Sequence, residues 1–288
     1  MSPAPHPKFQ QIRYEVSEGT LTIVLNRPEQ LNALTQQMLV EILAAMDLAD
    51  ADDDVKAIIF TGAGRAYCAG ADISRGADAF DLQEAGETVP RDGGGLITLR
   101  IFESKKPVIA AINGSAAGVG LTMTLAMDVR FVAAGAKLGF VFARRGIVPE
   151  AASSWFLPRI VGISRAMEWV ATGRMFSPDE ALEAGLVRKV LPVGDVLPAA
   201  RALAREIADN AAPVSVALSR RMLWTGLTLP HPMEAHRADS RAILARGQTS
   251  DAREGVTSFL EKRAPAFEDR VSDGLPDIFP WLEPKTFL

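Results

Sequence analysis

The chain reads as an α/β protein with a helical C-terminal region. Three observations predict this. Short β-branched or apolar runs alternate with helical segments through the first part of the sequence. Two of those runs end in glycine-rich turns. After LVRKVLP (186–192) no strand alternation remains, and helical stretches follow between Pro and Gly breaks. We expect an α/β core over 1–195 and a helical region over 196–288.

Residues 1–10 read as a loose leader. TLTIVL (20–25) is rich in β-branched types and predicts a strand. NRPEQLNAL (26–34) is a turn into a helix, on which Leu39, Ile42, Leu43 and Met46 recur at helical spacing until DADDD (50–54) ends it. KAIIFTG (56–62) is a second strand, followed by the turn GAGRAYCAGADI (62–73). Residues 74–95 are polar and glycine-rich, the composition of a lid or a loose insertion. Helix signal resumes near 96–103. KPVIAAING (106–114) is the clearest buried strand, GSAAGVGLTMTLAMD (114–128) a turn entering an apolar helix, and VRFVAAG (129–135) a short strand.

Residues 178–184 carry a full set of helix signals. Ser177 caps, Pro178 suits the first position, Glu180 completes a capping box and Gly185 ends the helix. Helices are also expected over 201–210 and 253–263. The irregular tail carries Phe279 and Trp281, which pack onto a neighbouring subunit or onto their own domain.

Composition narrows the function. The 288 residues are 48% hydrophobic and 23% charged, enough for a substantial core and unlike a disordered chain. A net charge of -4 argues against broad nucleic-acid binding. The one cysteine, Cys68, cannot form an internal disulfide and has no visible partner base. No signal peptide or membrane span is legible, so a cytoplasmic location is expected. His6, His231 and His236 do not form a metal-binding pattern, and no metal is expected.

The two glycine turns centre on Gly70 and on 114–120. Glycine permits positive φ and close backbone approach, so such a turn can aim free N–H groups at a ligand. Neither turn has the order of a P-loop or a dinucleotide fingerprint. Tight helix packing is the alternative reason for the same glycines.

Together, NRPEQLNAL, GAGRAYCAGADI, KPVIAAINGSAAGVG, GIVPEAASSWFLPRIVG (146–162), ATGRMFSPDEALEAGLV (171–187) and EGVTSFLEKRAPAF (254–267) resemble the enoyl-CoA hydratase/isomerase, or crotonase, family. The resemblance covers roughly residues 12–267. It implies a crotonase-like spiral of ββα units followed by helices used in assembly, as a homotrimer or a dimer of trimers. It implies an acyl-CoA substrate, with coenzyme A part of that substrate and no tightly bound cofactor. It also implies an oxyanion hole from the backbone N–H groups of Ala71 and Val119. Such donors stabilise the charge that grows on a thioester oxygen when a neighbouring proton leaves, and losing one costs about 3 kcal/mol.

Hydratases of the family use two glutamates. At the matching places this chain has Thr122 and Phe142, and neither can act as a carboxylate. Glu150 offers another solution. Its segment is similar to peroxisomal-type Δ3,Δ2-enoyl-CoA isomerases, in which the equivalent glutamate is the base. Carried to this position, Glu150 takes a C2 proton from a 3-enoyl-CoA and returns it to C4. Phe142, Ile147, Val148, Trp155 and Phe156 surround it in sequence, and burial among apolar groups raises a carboxyl pKa. The alternative makes Glu150 a residue that complements a helix dipole.

Arg27, Ala69, Lys262 and Arg263 are the expected coenzyme A contacts, and Phe142 and Trp155 the expected acyl-pocket residues. Lys262 and Arg263 equally read as solvated helix charge, and Arg144 and Arg145 as holders of a loop or a subunit contact. Asp72 caps or organises its turn. Among Asp78, Asp81, Glu84 and Glu87, one could supply a second acid. The expected activity is double-bond isomerisation. The alternatives are hydration with a second acid not yet located, or a non-catalytic acyl-CoA-binding or RNA-associated relative.

Overall fold

The computed structural model describes residues 8–81 and 89–287. A hairpin opens the chain: β1 (Ile12–Ser17) pairs antiparallel with β2 (Thr20–Leu25). Glu18 and Gly19 both have positive φ, as a two-residue hairpin turn requires. The leader reading stops at residue 10, and β1 begins two residues later.

The chain continues through α1 (Gln36–Ala51), β3 (Ala57–Gly62), β4 (Ala66–Cys68), α2 (Gly93–Phe102), β5 (Val108–Ile112), β6 (Ser115–Ala117) and α3 (Val119–Thr122). Next come β7 (Val129–Ala133), β8 (Leu138–Gly139), α4 (Ser153–Val161), α5 (Ile163–Thr172), β9 (Met175–Phe176), α6 (Pro178–Glu183) and β10 (Lys189–Leu191). The helices α7 (Val193–Asn210), α8 (Pro213–Gly226), α9 (Pro232–Gly247) and α10 (Ser250–Glu261) follow.

One sheet has the order β1-β2-β3-β5-β7-β10, the other β4-β6-β8-β9. Each of β3, β5 and β7 leaves the first sheet for a short strand of the second. The units β1-β2-α1, β3-β4-α2, β5-β6-α3 and β7-β8-α4 therefore repeat one ββα plan, as the resemblance implies. The short strands place successive turns side by side, because β4, β6 and β8 are parallel neighbours.

Both faces of the large sheet are covered, so its parallel strands read as apolar runs. On one face Ile23, Ile58, Phe60 and Ala110 pack with Met38, Ile42, Ala45 and Met46 of α1. On the other, Ile59, Ile109, Ala111 and Phe131 meet Val196, Ala200 and Ala204 of α7. A separate cluster joins α8 and α9 to the tail, where Phe279 is 2% exposed and packs within its own chain.

Buried Arg220 ties α8 to the core. Its guanidinium donates to the carbonyls of Ile101, Phe102 and Ser104 at the end of α2, and to Asp128 Oδ2 at 2.8 Å. Asp128 also accepts from Trp224 Nε1 at 2.7 Å and from the Val108 amide at 2.7 Å. Among the described residues no helix is long and apolar enough to cross a membrane.

Candidate active site

The turn after β4 is fixed from two directions. Leu34 donates its N–H to the Gly70 carbonyl at 2.8 Å, and its carbonyl accepts from Asp72 N at 2.9 Å. This bridge uses the residues that flank Ala71, so the Ala71 amide points away from it. Asn32, fully buried, donates to the carbonyls of Ala63, Ala66 and Tyr67 and accepts from the Arg27 amide. The LNAL motif thus clamps the first turn to the β3–β4 connection. Gly70 has φ of +112°, and a Cβ there would lie 3.1 Å from the Ala117 carbonyl oxygen.

The second turn lies against the first. Gly118 has φ of +50°, and a Cβ built on it would come within 3.9 Å of Gly70 Cα. Val119 follows as the first residue of α3, a position whose N–H has no intrahelical acceptor. Gly120 has a packing role, since a Cβ there would lie 2.3 Å from the Cys68 carbonyl oxygen. Close packing explains all three glycines: Gly70 and Gly118 let the two turns meet, and Gly120 lets α3 sit on β4.

Glu150 reaches this junction from the segment before α4. Its Oε1 accepts from Thr122 Oγ1 at 2.5 Å, so α3 reaches the carboxyl through a hydroxyl. A Cβ on Gly94 would lie 2.0 Å from Glu150 Oε2, 3.0 Å from Val119 Cγ2 and 3.1 Å from Ala151 Cβ. The bare backbone at the start of α2 is therefore what makes room for the carboxyl. Burial pushes the Glu150 carboxyl up to about 7; the Thr122 hydroxyl opposes the rise, and the Asp92 carboxyl adds to it by charge and by a side-chain hydrogen bond. A group that titrates near neutrality can both take and return a proton.

Val148 is 76% exposed, so it does not contribute to the apolar surroundings expected of it. Gly94, Thr122, Val119 and Ala151, drawn from three elements, close around the carboxyl instead. Phe142 is buried in the core at 3% exposure. Trp155 packs edge-on against Phe156 and Phe102, with the Arg159 guanidinium 4.1 Å above its ring.

Arg27 donates from Nη1 to Asp72 Oδ2 at 2.8 Å and to the Ala33 carbonyl at 2.7 Å. Asp72 also accepts from the Ser74 amide, and these bonds hold its carboxyl below the usual range, so it does organise its turn. Ala69 is exposed, with its amide on the Leu31 carbonyl. Lys262 ends α10 in a left-handed conformation, and Arg263 pairs with Glu254 and Glu261. Arg144 donates to the Thr172 carbonyl and so holds a loop.

Burial pushes the Cys68 thiol up to about 12, which leaves it neutral. Glu84, Glu87 and the side chain of Asp78 lie outside the described residues. Among the described residues no group of His, Cys, Asp or Glu is placed to hold a metal ion. A polar cavity of about 760 Å3, lined by Asp52, Lys106, Phe267 and Arg270 among others, shares none of the Glu150 neighbours.

Sequence reasoning missed Asp92. It read 74–95 as one loose stretch, although Asp92 followed by three glycines is an N-cap signal before LITLRIF. It also treated Thr122 only as a lost carboxylate.

Comparison with known proteins places these features in context. A family model described as enoyl-CoA hydratase/isomerase matches residues 15–270. The chain is 43% identical over 260 residues to the enoyl-CoA hydratase ACTT3 of Alternaria alternata, covering 89% of this chain and 86% of that protein. It is 33% identical to the 1,2-epoxyphenylacetyl-CoA isomerase of Escherichia coli, covering 88% and 96%. The structure of an enoyl-CoA hydratase from Bacillus anthracis superposes with a TM-score of 0.82 at 32% identity, covering 90% of this chain and 99% of that one.

Proposed function

We propose, from the premise that the chain belongs to the enoyl-CoA hydratase/isomerase family, that it isomerises a 3-enoyl-CoA to the 2-enoyl isomer with Glu150 as the single base. The observation that carries this reading is the Glu150 carboxyl, raised to about 7 and wedged between Gly94 and Thr122 beside the two glycine turns. Ionised Glu150 takes a proton from C2. The electron pair spreads over the dienolate, whose oxygen is held by the amides of Ala71 and Val119. The same proton then passes from Glu150 to C4. This sequence needs one base, and Thr122 and Phe142 occupy the positions where two glutamates would serve hydration.

The coenzyme A end is assigned to Arg27, Ala69, Lys262 and Arg263, and the acyl end to Phe142 and Trp155. Assembly as a homotrimer or dimer of trimers through residues 196–288 is supported by exposed apolar side chains on α8–α10, among them Leu223, Ile243, Leu244, Phe259 and Leu260. The enzyme is assigned to the cytoplasm.

Hydration of a 2-enoyl-CoA is the second reading. Asp92 favours it, because a second carboxyl beside Glu150 is what the sequence lacked. The test offers purified protein 3-enoyl-CoA and 2-enoyl-CoA of several lengths. Conversion of the former without hydration is expected. Efficient formation of 3-hydroxyacyl-CoA would replace the first reading with the second. Glu150→Gln is expected to abolish isomerisation and exchange of the C2 proton while acyl-CoA still binds.

A further inference from the structure

Asp92 makes two bonds from one oxygen. As the N-cap of α2 it accepts from Gly95 N at 3.0 Å, the ordinary duty of a cap. The same Oδ2 accepts from Ala151 N at 3.2 Å, across to a different element. Ala151 and Ala152 stand at φ of 57° and 52°, consecutive left-handed residues without the freedom of glycine. Such residues are strained and persist where the surroundings over-determine them. The Asp92 carboxylate is part of that determination. So is Ser153, which donates to the Glu150 carbonyl at 2.6 Å.

The glycines of α2 serve the same arrangement. Gly93, Gly94 and Gly95 open the helix, although glycine is a poorer helix former than alanine. A Cβ would strike Leu39 Cδ1 at position 93, Glu150 Oε2 at 94 and Asp92 Oδ2 at 95. The run leaves room for the Glu150 carboxyl at 94 and the Asp92 carboxyl at 95, on neighbouring glycines of one turn. Two carboxyls can bond to each other only with a proton between them.

We infer that Asp92 is a positioning residue for Glu150, holding its turn through the Ala151 amide and accepting the proton-bearing form of its carboxyl. This rests on Glu150 being the base. In the reaction the C2–H bond breaks and a Glu150 O–H bond forms, with the electron pair left on the dienolate. Protonated Glu150 then donates to the Asp92 carboxylate, which stabilises the state between the two proton transfers. The proton leaves for C4 and the bond is released.

The groups facing Glu150 fit this role. From the start of α2 comes Asp92, from β4 the neutral Cys68, and from α3 only the hydroxyl of Thr122. No cation is among the groups that move its carboxyl.

The experiment measures kcat/KM against pH for Asp92→Asn with a 3-enoyl-CoA. Asparagine keeps an oxygen for both amides and caps a helix as well as aspartate, but its NH2 donates to ionised Glu150. The acidic limb is expected to move down by about one pH unit, and the rate at neutral pH to fall about tenfold, as for a weaker base. Asp92→Ser, which caps without a carboxyl, is expected to move the limb the same way. A limb that stays in place in both folded variants overturns the inference. Glu150→Gln is run beside them. Retained isomerisation there would remove the base itself, whereas a silent Glu150→Gln with an unmoved Asp92→Asn limb removes only the partnership.

Discussion

Glu150 and Glu180 are both glutamates beside a helix start, yet their surroundings drive them in opposite directions. Glu180 sits in the first turn of α6, where the Arg174 guanidinium donates to it at 2.9 Å and the Trp169 indole N–H at 2.6 Å. Arg174 first among these partners holds its carboxyl down at about 2. Glu150 has no cation, is partly buried, and is pushed up to about 7. A carboxylate that receives a cation and an indole becomes a fixed structural charge. One that receives a hydroxyl and another acid is left able to exchange its proton. The contrast separates a fixed ion pair from a carboxyl that titrates near neutrality, although the residue type is the same.

The widest break in that contrast is Glu150→Gln, which should lower isomerisation by about a thousandfold or more, read as kcat with acyl-CoA binding measured separately. Gly94→Ala comes next. Alanine is the better helix former, but its methyl would meet Glu150 Oε2 at 2.0 Å. The flexible carboxyl end gives way, and Val119 and Ala151 must shift by a few tenths of an ångström, so the variant should fold with a slightly lowered melting point while kcat falls about a hundredfold through displacement of the carboxyl. Normal kcat in a folded Gly94→Ala protein would detach the reaction from this carboxyl.

Thr122→Val removes the donor that opposes the rise of Glu150. The acidic limb of kcat/KM should move to higher pH by about half a unit, the reverse of the Asp92 variants. Smallest in its effect on turnover is Glu180→Ala, which should leave kcat unchanged. It strips the fully buried Trp169 indole of its acceptor, at a cost of about 1–3 kcal/mol in denaturant unfolding.

The two acids also leave opposite marks on stability against pH. Glu180 is lowered from 4.5 to about 2, so its contribution is present above 4.5 and is lost as pH falls toward 2. Glu150 is raised from 4.5 to about 7, so the folded state binds a proton that the unfolded state has released. Its stabilisation is present below 4.5 and is lost as pH rises through 7. Glu150→Gln should flatten the unfolding profile over that upper window, and Glu180→Ala over the lower one.

The strands at 20–25, 56–62, 106–114 and 129–135 were legible because they are buried on both faces and read as continuous apolar runs. β1 was not read, although Ile12, Tyr14 and Val16 alternate, because its charged partners Arg13 and Glu15 break up the apolar content. The short strands β4 and β6 hid inside glycine-rich motifs and β8 in an unread stretch, since two or three residues carry no period. The capping box was half right: Ser177 accepts from Glu180 N at 3.1 Å, but the Glu180 carboxylate turns to Arg174 and Trp169.

At the candidate site, the sequence offers Glu150 as a candidate through its motif alone. Its neighbours could not be picked in this way, because Asp92, Gly94 and Thr122 are brought to it from distant stretches of chain by the packing of α2 and α3. Val148 shows the converse, being close in sequence and turned to solvent.

One consequence follows from the grip of Arg220 on α2. That helix spans ten residues, about 15 Å, and its far end bears the aspartate and the glycine that seat Glu150. The rod is bolted at one end to α8 and cradles the Glu150 carboxyl at the other. Shortening the chain before residue 220 would therefore unfasten this lever, and the loss of turnover would come from a shifted base even where thioester is still captured.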